Sequence, residues 1–115
     1  MILEKRCDSY SYFREKSSTL ISKLIAGEGN AKQRLGECEG QIFVWTLAPV
    51  PANQKQFKED IVARLNKLPH KEFRGETIQS SFRASLSKMR NSTAAKIIAD
   101  IYQLHEDVRF AEEQC

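Results

Sequence analysis

Apolar residues recur at intervals of three and four along most of the chain, which predicts amphipathic helices. In the first segment, the apolar or small residues on one helical face are Leu3, Cys7, Tyr10, Phe13, Ser17, Leu20, Ile21, Leu24 and Ile25. Gly27 occupies the place of a left-handed C-terminal cap. Asn30 occupies the place of an N-cap, whose side chain accepts a free backbone N–H. The pattern predicts a helix over residues 3–26 and a second one from residue 31.

The second segment, residues 31–47, carries Leu35, Cys38, Ile42 and Trp45 on one stripe and predicts a helix that ends before Pro49. Its last part, residues 41–47, has the β-branched and aromatic composition of a strand. That run does not alternate between apolar and polar residues, which favours a buried helix over a strand. The strand alternative stays open.

A third helix is predicted over residues 53–68, followed by a polar loop from Pro69 to Gly75. Helical spacing then continues almost unbroken from residue 76 to residue 110. One helix of that length would far exceed the usual 11–12 residues. Because Asn91 and Ser92 are turn and cap residues, two helices are favoured, over 76–90 and 92–110.

Length and composition indicate one soluble domain. The chain has 115 residues, 41% hydrophobic and 29% charged, and no apolar run approaches the ~20 residues of a membrane span. Three widely spaced cysteines (Cys7, Cys38 and Cys115) without a signal sequence favour a reduced, cytoplasmic protein. The predicted fold class is all-α, a single-domain bundle of four to five antiparallel helices.

Two runs of the chain resemble segments of a known group of proteins. The run from Leu24 to Leu35 resembles the first inter-helix turn, and the run from Met89 to Ile98 the start of the last helix, of small all-helical bacterial proteins of mobile elements, of the integron gene-cassette type. The resemblance covers about a fifth of the chain and includes no functional motif. It implies a bacterial all-α domain and brings no activity or site residues.

Patterns that carry catalysis or cofactor binding are absent from the sequence. His70 and His105 lack the paired spacing of a zinc site, and no phosphate-binding glycine loop occurs. Acids such as Glu37 and Glu39 exist, but nothing marks a converging pair. We therefore predict a non-enzymatic protein with no catalytic, cofactor or metal residues; an enzyme of unfamiliar type is the weakest of three hypotheses.

Charge is distributed unevenly along the chain. Residues 54–96 hold ten basic and four acidic side chains, residues 97–115 hold one and five, and no acid occurs from Thr77 to Ala99. Contacts to nucleic-acid phosphates are one hypothesis, with the candidate residues Arg83, Lys88, Arg90 and Lys96. The alternative is a solvated basic face that the acidic C-terminal segment neutralises.

The favoured hypothesis is protein–protein contact. The run from Ile42 to Leu47 carries apolar residues on more than one helical face, which indicates burial on two sides. We therefore expect a homo-oligomer, such as a dimer, or an unknown protein partner, with the candidate interface residues Phe43, Trp45 and Leu47.

Overall fold

α-Helix dominates the computed structural model, which describes residues 10–113. The described elements, in chain order, are α1 (Ser11–Ala26), α2 (Ala31–Glu37), α3 (Glu39–Leu47), a short 3-10 turn (Ala52–Gln54), α4 (Lys55–Leu65), β1 (Lys71–Phe73), β2 (Glu76–Gln79), α5 (Ser81–Lys88) and α6 (Asn91–Glu113). The prediction of a helical protein is confirmed. Instead of four or five helices, the described residues form six helices and a β-hairpin.

The longest helix, α6, is the centre of the packing. It contacts α1, α2 and α4, and its buried residues follow the 3–4 spacing of one stripe: Ala94, Ile97, Ile101, Leu104 and Val108. The same core also contains residues of the other helices: Phe13, Leu20 and Leu24 of α1, Leu35 of α2, Ile42 and Trp45 of α3, and Ile61 and Leu65 of α4. α1 runs antiparallel to α6, since the Tyr10 amide before α1 donates to Glu112 near the end of α6 at 2.6 Å.

The first helix and its turn differ from the prediction in one detail. α1 is described from Ser11, and residues 3–9 of the predicted helix lie outside the described residues. Gly27 is not left-handed, because its φ is −64°. The positive φ, +89°, falls on Gly29 instead. Asn30 does cap α2, since its side chain accepts from the Gln33 amide while the Gln33 side chain accepts from the Asn30 amide.

The predicted helix over 31–47 is divided at Cys38. The Cys38 amide donates to Leu35 three residues back at 3.0 Å, which tightens the end of α2, and the Cys38 carbonyl then accepts from Ile42 as α3 begins. Residues 41–47 lie within α3, so the strand alternative is wrong. Cys38 is itself buried, and burial raises the pKa of its thiol. Cys7 and Cys115 lie outside the described residues.

The helix predicted over 53–68 is shorter than expected. Residues 52–54 form the 3-10 turn, and α4 ends at Leu65. The Asn66 amide and side chain both bond back to the Val62 carbonyl, which closes the last turn. Residues 66–70 are therefore free of the helix and lead into the hairpin.

Two predictions about residues 69–90 are wrong. Part of the expected loop and the expected start of a helix at residue 76 form instead an antiparallel hairpin, in which Phe73 pairs with Glu76. Its two-residue turn has positive φ at Arg74 (53°) and Gly75 (81°), the combination of a type I′ turn that matches strand twist. The helix that follows, α5, begins at Ser81, whose neighbour Ser80 is the N-cap.

The break between the last two helices lies at Met89 and Arg90. α6 begins at Asn91 and ends at Glu113, so the predicted span of 92–110 is extended at both ends. The Asn91 side chain accepts from the Lys32 amide at 3.1 Å and thereby adds a second cap to α2. In residues 10–113, no helix is long and apolar enough to cross a membrane.

Candidate functional site

Four cationic side chains from two segments of the chain, residues 64–67 and 88–90, surround one open pocket. The pocket has a volume of about 300 Å³. Arg64 comes from α4, Lys67 from the segment after it, Lys88 from the end of α5, and Arg90 from the link to α6. These four residues are called the basic cluster below. Leu68, Ser85, Met89 and Thr93 complete the wall.

Two serines of α5 bring Lys67 to this place. Ser85 Oγ accepts from the Leu68 amide at 2.8 Å. Ser81 Oγ donates its one proton between two carbonyls, the nearer that of Leu68 and the farther, at 3.2 Å, that of Asn66. These bonds satisfy backbone groups of the segment that follows α4, and they hold residues 66–68 against α5. Lys67 is therefore brought to the side of the molecule on which Lys88 ends α5.

The basic cluster is only partly neutralised. Asp100 Oδ2 lies 2.7 Å from Arg64 Nη2, and its other oxygen lies 3.3 Å from the ammonium of Lys96. That carboxylate is therefore shared between two cations. Within the described part of the chain, no carboxylate oxygen lies within 4.0 Å of the charged nitrogens of Lys67, Lys88 and Arg90.

The start of α6 adds to the positive potential. A helix N-terminus carries a partial positive charge from its unpaired N–H groups. Thr93, in the first turn of α6, lines the pocket, and that turn contains no acidic residue. An anion in the pocket would therefore meet cationic side chains and the positive end of a 23-residue helix.

The structure brings together only part of the predicted phosphate-binding set. Lys88 and Arg90 line the pocket, and Lys96 lies beside it through Asp100. Arg83 does not belong to this site, because its guanidinium Nε is 2.9 Å from Glu39 Oε1 of α3. It lines another pocket, with Gly36 and Glu37 of α2. Arg64 and Lys67 were missed, because nothing in the sequence places α4 beside residues 88–90.

The three predicted interface residues lie on two different sides of α3. Phe43 is 64% exposed and Leu47 is 66% exposed. Trp45 is fully buried, so it is not part of an exposed surface, and this part of the prediction is wrong. Its ring lies 6.0 Å from that of Phe13, and its indole N–H donates to Ser17 at 2.9 Å. Trp45 is thus a core residue.

Another basic side chain, Lys58, lies outside the basic cluster at the edge of a mostly apolar pocket of about 580 Å³. Its ammonium donates to the carbonyls of Thr46, at 2.7 Å, and Ala48 at the end of α3. It also lies 6.0 Å from the Trp45 ring. Burial lowers the pKa of Lys58. Because the ammonium already donates to two carbonyls, its role is to pair backbone carbonyls that α3 leaves without a partner at its C-terminal end.

The histidines occupy separate places. His70 Nε2 is 2.7 Å from Glu72 Oε1 at the base of the hairpin. His105 lies half-buried on α6, and burial lowers its pKa. Among residues 10–113, no three His, Cys, Asp or Glu side chains are grouped in a way that could hold a metal ion.

Comparison with known proteins identifies no relative. No family model, no curated protein and no solved structure matches the chain. The resemblance to integron-cassette proteins, the bacterial origin and the cytoplasmic location thus stay predictions from the sequence. A function for this chain therefore has to be inferred from the basic cluster and not from a family.

Proposed function

We propose that this protein is a non-enzymatic nucleic-acid-binding protein, and that the basic cluster holds the phosphate backbone. One observation carries the proposal: Lys67 and, from a later part of the chain, Lys88 and Arg90 line one pocket without a paired carboxylate among the described residues. Grouping like charges is unfavourable unless an anion or solvent compensates for it. A phosphate backbone supplies that anion repeatedly along its length.

The distribution of acids supports this proposal over the solvated-face alternative. One acid of residues 97–115, Asp100, does pair with Arg64 of the cluster, so neutralisation of Lys67, Lys88 and Arg90 would need further acids near them. Glu112 lies 22 residues after Arg90, and α6 spans the interval, so about 33 Å of helix separates them. The Debye length is about 8 Å at physiological salt, so the charges at the two ends are screened from each other. Glu112 instead pairs with Arg14 of α1 at 2.6 Å.

The four side chains of the basic cluster have complementary roles in binding phosphate. The Arg90 guanidinium is a planar fork that can donate two parallel hydrogen bonds to phosphate oxygens. Lys67 and Lys88 supply mobile point charges at the pocket edge. Arg64 is oriented by Asp100 at Nη2 and by the Asp60 carbonyl at Nε, which leaves the Nη1 N–H groups as donors.

Charge reversal tests the proposal. Labelled oligonucleotides are titrated with protein, and fluorescence anisotropy is followed at salt from about 50 to 200 mM. We expect salt-dependent binding and a loss of at least about tenfold in the Lys88→Glu/Arg90→Glu variant. The Lys23→Glu/Lys55→Glu variant makes the same change in net charge with two exposed lysines outside the pocket, and it should bind nearly as the wild type does.

Two results would overturn the proposal. One is a wild-type protein that binds no oligonucleotide at the lowest salt. The other is an equal loss in both double variants, which would mean that net charge and not the cluster determines binding.

Self-association is a second candidate, favoured by one observation. Phe43 and Leu47 are four residues apart on the solvent side of α3 and are both about two-thirds exposed. Nothing lies within 4 Å of the position a side chain would take at Gly40, one turn before Phe43, so the same face is open to close approach. A second copy packed there would remove both apolar side chains from water.

Sedimentation at tens of micromolar protein distinguishes a dimer from a monomer. If α3 mediates dimerisation, the wild type sediments as a dimer and the Phe43→Ser/Leu47→Ser variant as a monomer. Ile25→Ser, at a side chain 72% exposed on α1, is the control and should leave the dimer intact. A strictly monomeric wild type contradicts this candidate without affecting the nucleic-acid proposal.

A further inference from the structure

The β-hairpin extends into solvent beside the helices. Every residue from Lys71 to Thr77 is exposed, including Phe73, whose side chain is 60% exposed at the end of β1. Two-stranded hairpins without packing on either face are only marginally stable in water. The Phe73 ring is therefore not part of the core and is available for contact with another molecule.

Phe73 and Arg74 together form a stacking surface. The Arg74 guanidinium carbon lies 5.2 Å from the centre of the Phe73 ring. The type I′ turn places Arg74 at a positive φ of 53°, so the backbone of the turn is what presents its side chain beside the ring. Aromatic rings and guanidinium planes are the groups on which unpaired nucleic-acid bases stack.

Both ends of the hairpin lead to the basic cluster. β1 begins four residues after Lys67, and β2 is followed by α5, which ends at Lys88. The serines of α5 tie the segment before the hairpin to this helix. α5 has eight residues, so it is about 12 Å long, and Phe73, at the turn end of the hairpin, lies up to about 10 Å beyond the end of β2 that leads into α5. An extended strand of nucleic acid can span that interval.

We propose that the nucleic acid is single-stranded, with its phosphates on the basic cluster and one unpaired base stacked on Phe73. This inference rests on the proposed function. A duplex does not fit the hairpin in the same way, because the faces of its paired bases are covered by their neighbours in the stack. The hairpin residues 71–77 contain two cations and two carboxylates, so the hairpin contributes stacking and little net charge.

Two exposed phenylalanines, one in the hairpin and one outside it, provide a matched test. Phe110, on α6, is 62% exposed and matches Phe73 in type and exposure. Binding of a labelled thymidine oligonucleotide, and of a duplex of equal length, is measured by anisotropy for Phe73→Ala, Phe110→Ala and Phe73→Trp. We expect Phe73→Ala to weaken single-strand binding by about fivefold or more. Phe110→Ala should have no effect, and Phe73→Trp should bind the single strand with at least the affinity of the wild type.

The salt dependence separates stacking from charge. Phe73→Ala should leave the slope of log affinity against log salt unchanged, because no phosphate contact is lost. Equal single-strand affinities for Phe73→Ala and Phe110→Ala would overturn the inference, as would tighter binding of the duplex than of the single strand. If Lys88→Glu/Arg90→Glu still abolishes binding in those cases, the proposed function stands. A wild type that binds neither nucleic acid overturns both.

Discussion

Ser17 and Trp45 join two helices through a hydrogen bond inside the core. Both side chains are fully buried, and the indole N–H donates to Ser17 Oγ at 2.9 Å. The Ser17→Ala variant would leave that N–H buried without a partner, so we expect the free energy of unfolding to fall by about 1–3 kcal/mol. Urea denaturation measures the change. Ser18→Ala, at the exposed next position, should stay within about 0.5 kcal/mol of wild type; equal effects at the two sites would contradict this role.

His105 is expected to make stability depend on pH. Burial lowers its pKa, and Arg109 and Arg14 act in the same direction, while Glu106 opposes them. Its Nδ1 is buried and has no hydrogen-bond partner among the described residues. Since the folded pKa lies below the unfolded value of about 6.5, the unfolded chain binds more protons as pH falls through that range. Stability should therefore decrease from about pH 7.5 to about pH 5.5. The His105→Gln variant should lose part of this dependence, and an unchanged pH profile would refute the prediction.

At the scale of single elements, α2 depends on its cap because it has only seven residues. The Asn30 side chain accepts from the Gln33 amide at 3.0 Å, and the Gln33 side chain accepts from the Asn30 amide at 2.8 Å. We expect Asn30→Ala to lower the free energy of unfolding by about 1 kcal/mol. Glu28→Ala, two residues earlier and exposed, is the control. A loss no larger than that of the control would show that packing alone holds α2.

Hydrophobic spacing predicted the elements that have one buried face. The stripes of α1, α4 and α6 are buried at the expected 3–4 intervals, except that Ile25, at the end of the predicted α1 stripe, is 72% exposed. The sequence analysis did not predict the hairpin because residues 71–77 are all exposed and carry no alternation of apolar and polar positions. Its one local signal is the glycine of Arg74-Gly75, which permits the positive φ of the turn.

The candidate site was predicted less well, for two geometric reasons. In a helix, residues 43 and 47 share a face while residue 45 lies about 200° away, so Trp45 could not join Phe43 and Leu47 on one surface. Arg83 and Arg90 would share a face only if the helix were continuous. The break at Met89 and Arg90 ends that relation. Arg64 and Lys67 reach the site through tertiary packing, which the sequence alone does not specify.

For the whole molecule, the arrangement of charge matters more than its sum. The chain carries a formal net charge of +3, which by itself implies only weak attraction to polyanions. The packing of α4, α5 and α6 collects four cations at the start of α6. Carboxylates of its second half pair locally, Glu106 with Arg109 and Glu112 with Arg14. Within the described residues, the start of α6 is therefore a basic region, and we expect a polyanion to bind there.

The salt dependence of oligonucleotide binding by single alanine variants is the most direct test of whether the basic cluster contacts phosphates. If Lys67, Lys88 and Arg90 each contact a phosphate, replacing any one of them by Ala should reduce the magnitude of the slope of log affinity against log salt by about 0.7 for a single strand. Lys23→Ala, at an exposed lysine outside the pocket, should leave the slope unchanged. Slopes that are equal in the wild type and all four variants would contradict the assignment of the basic cluster as the phosphate-binding surface.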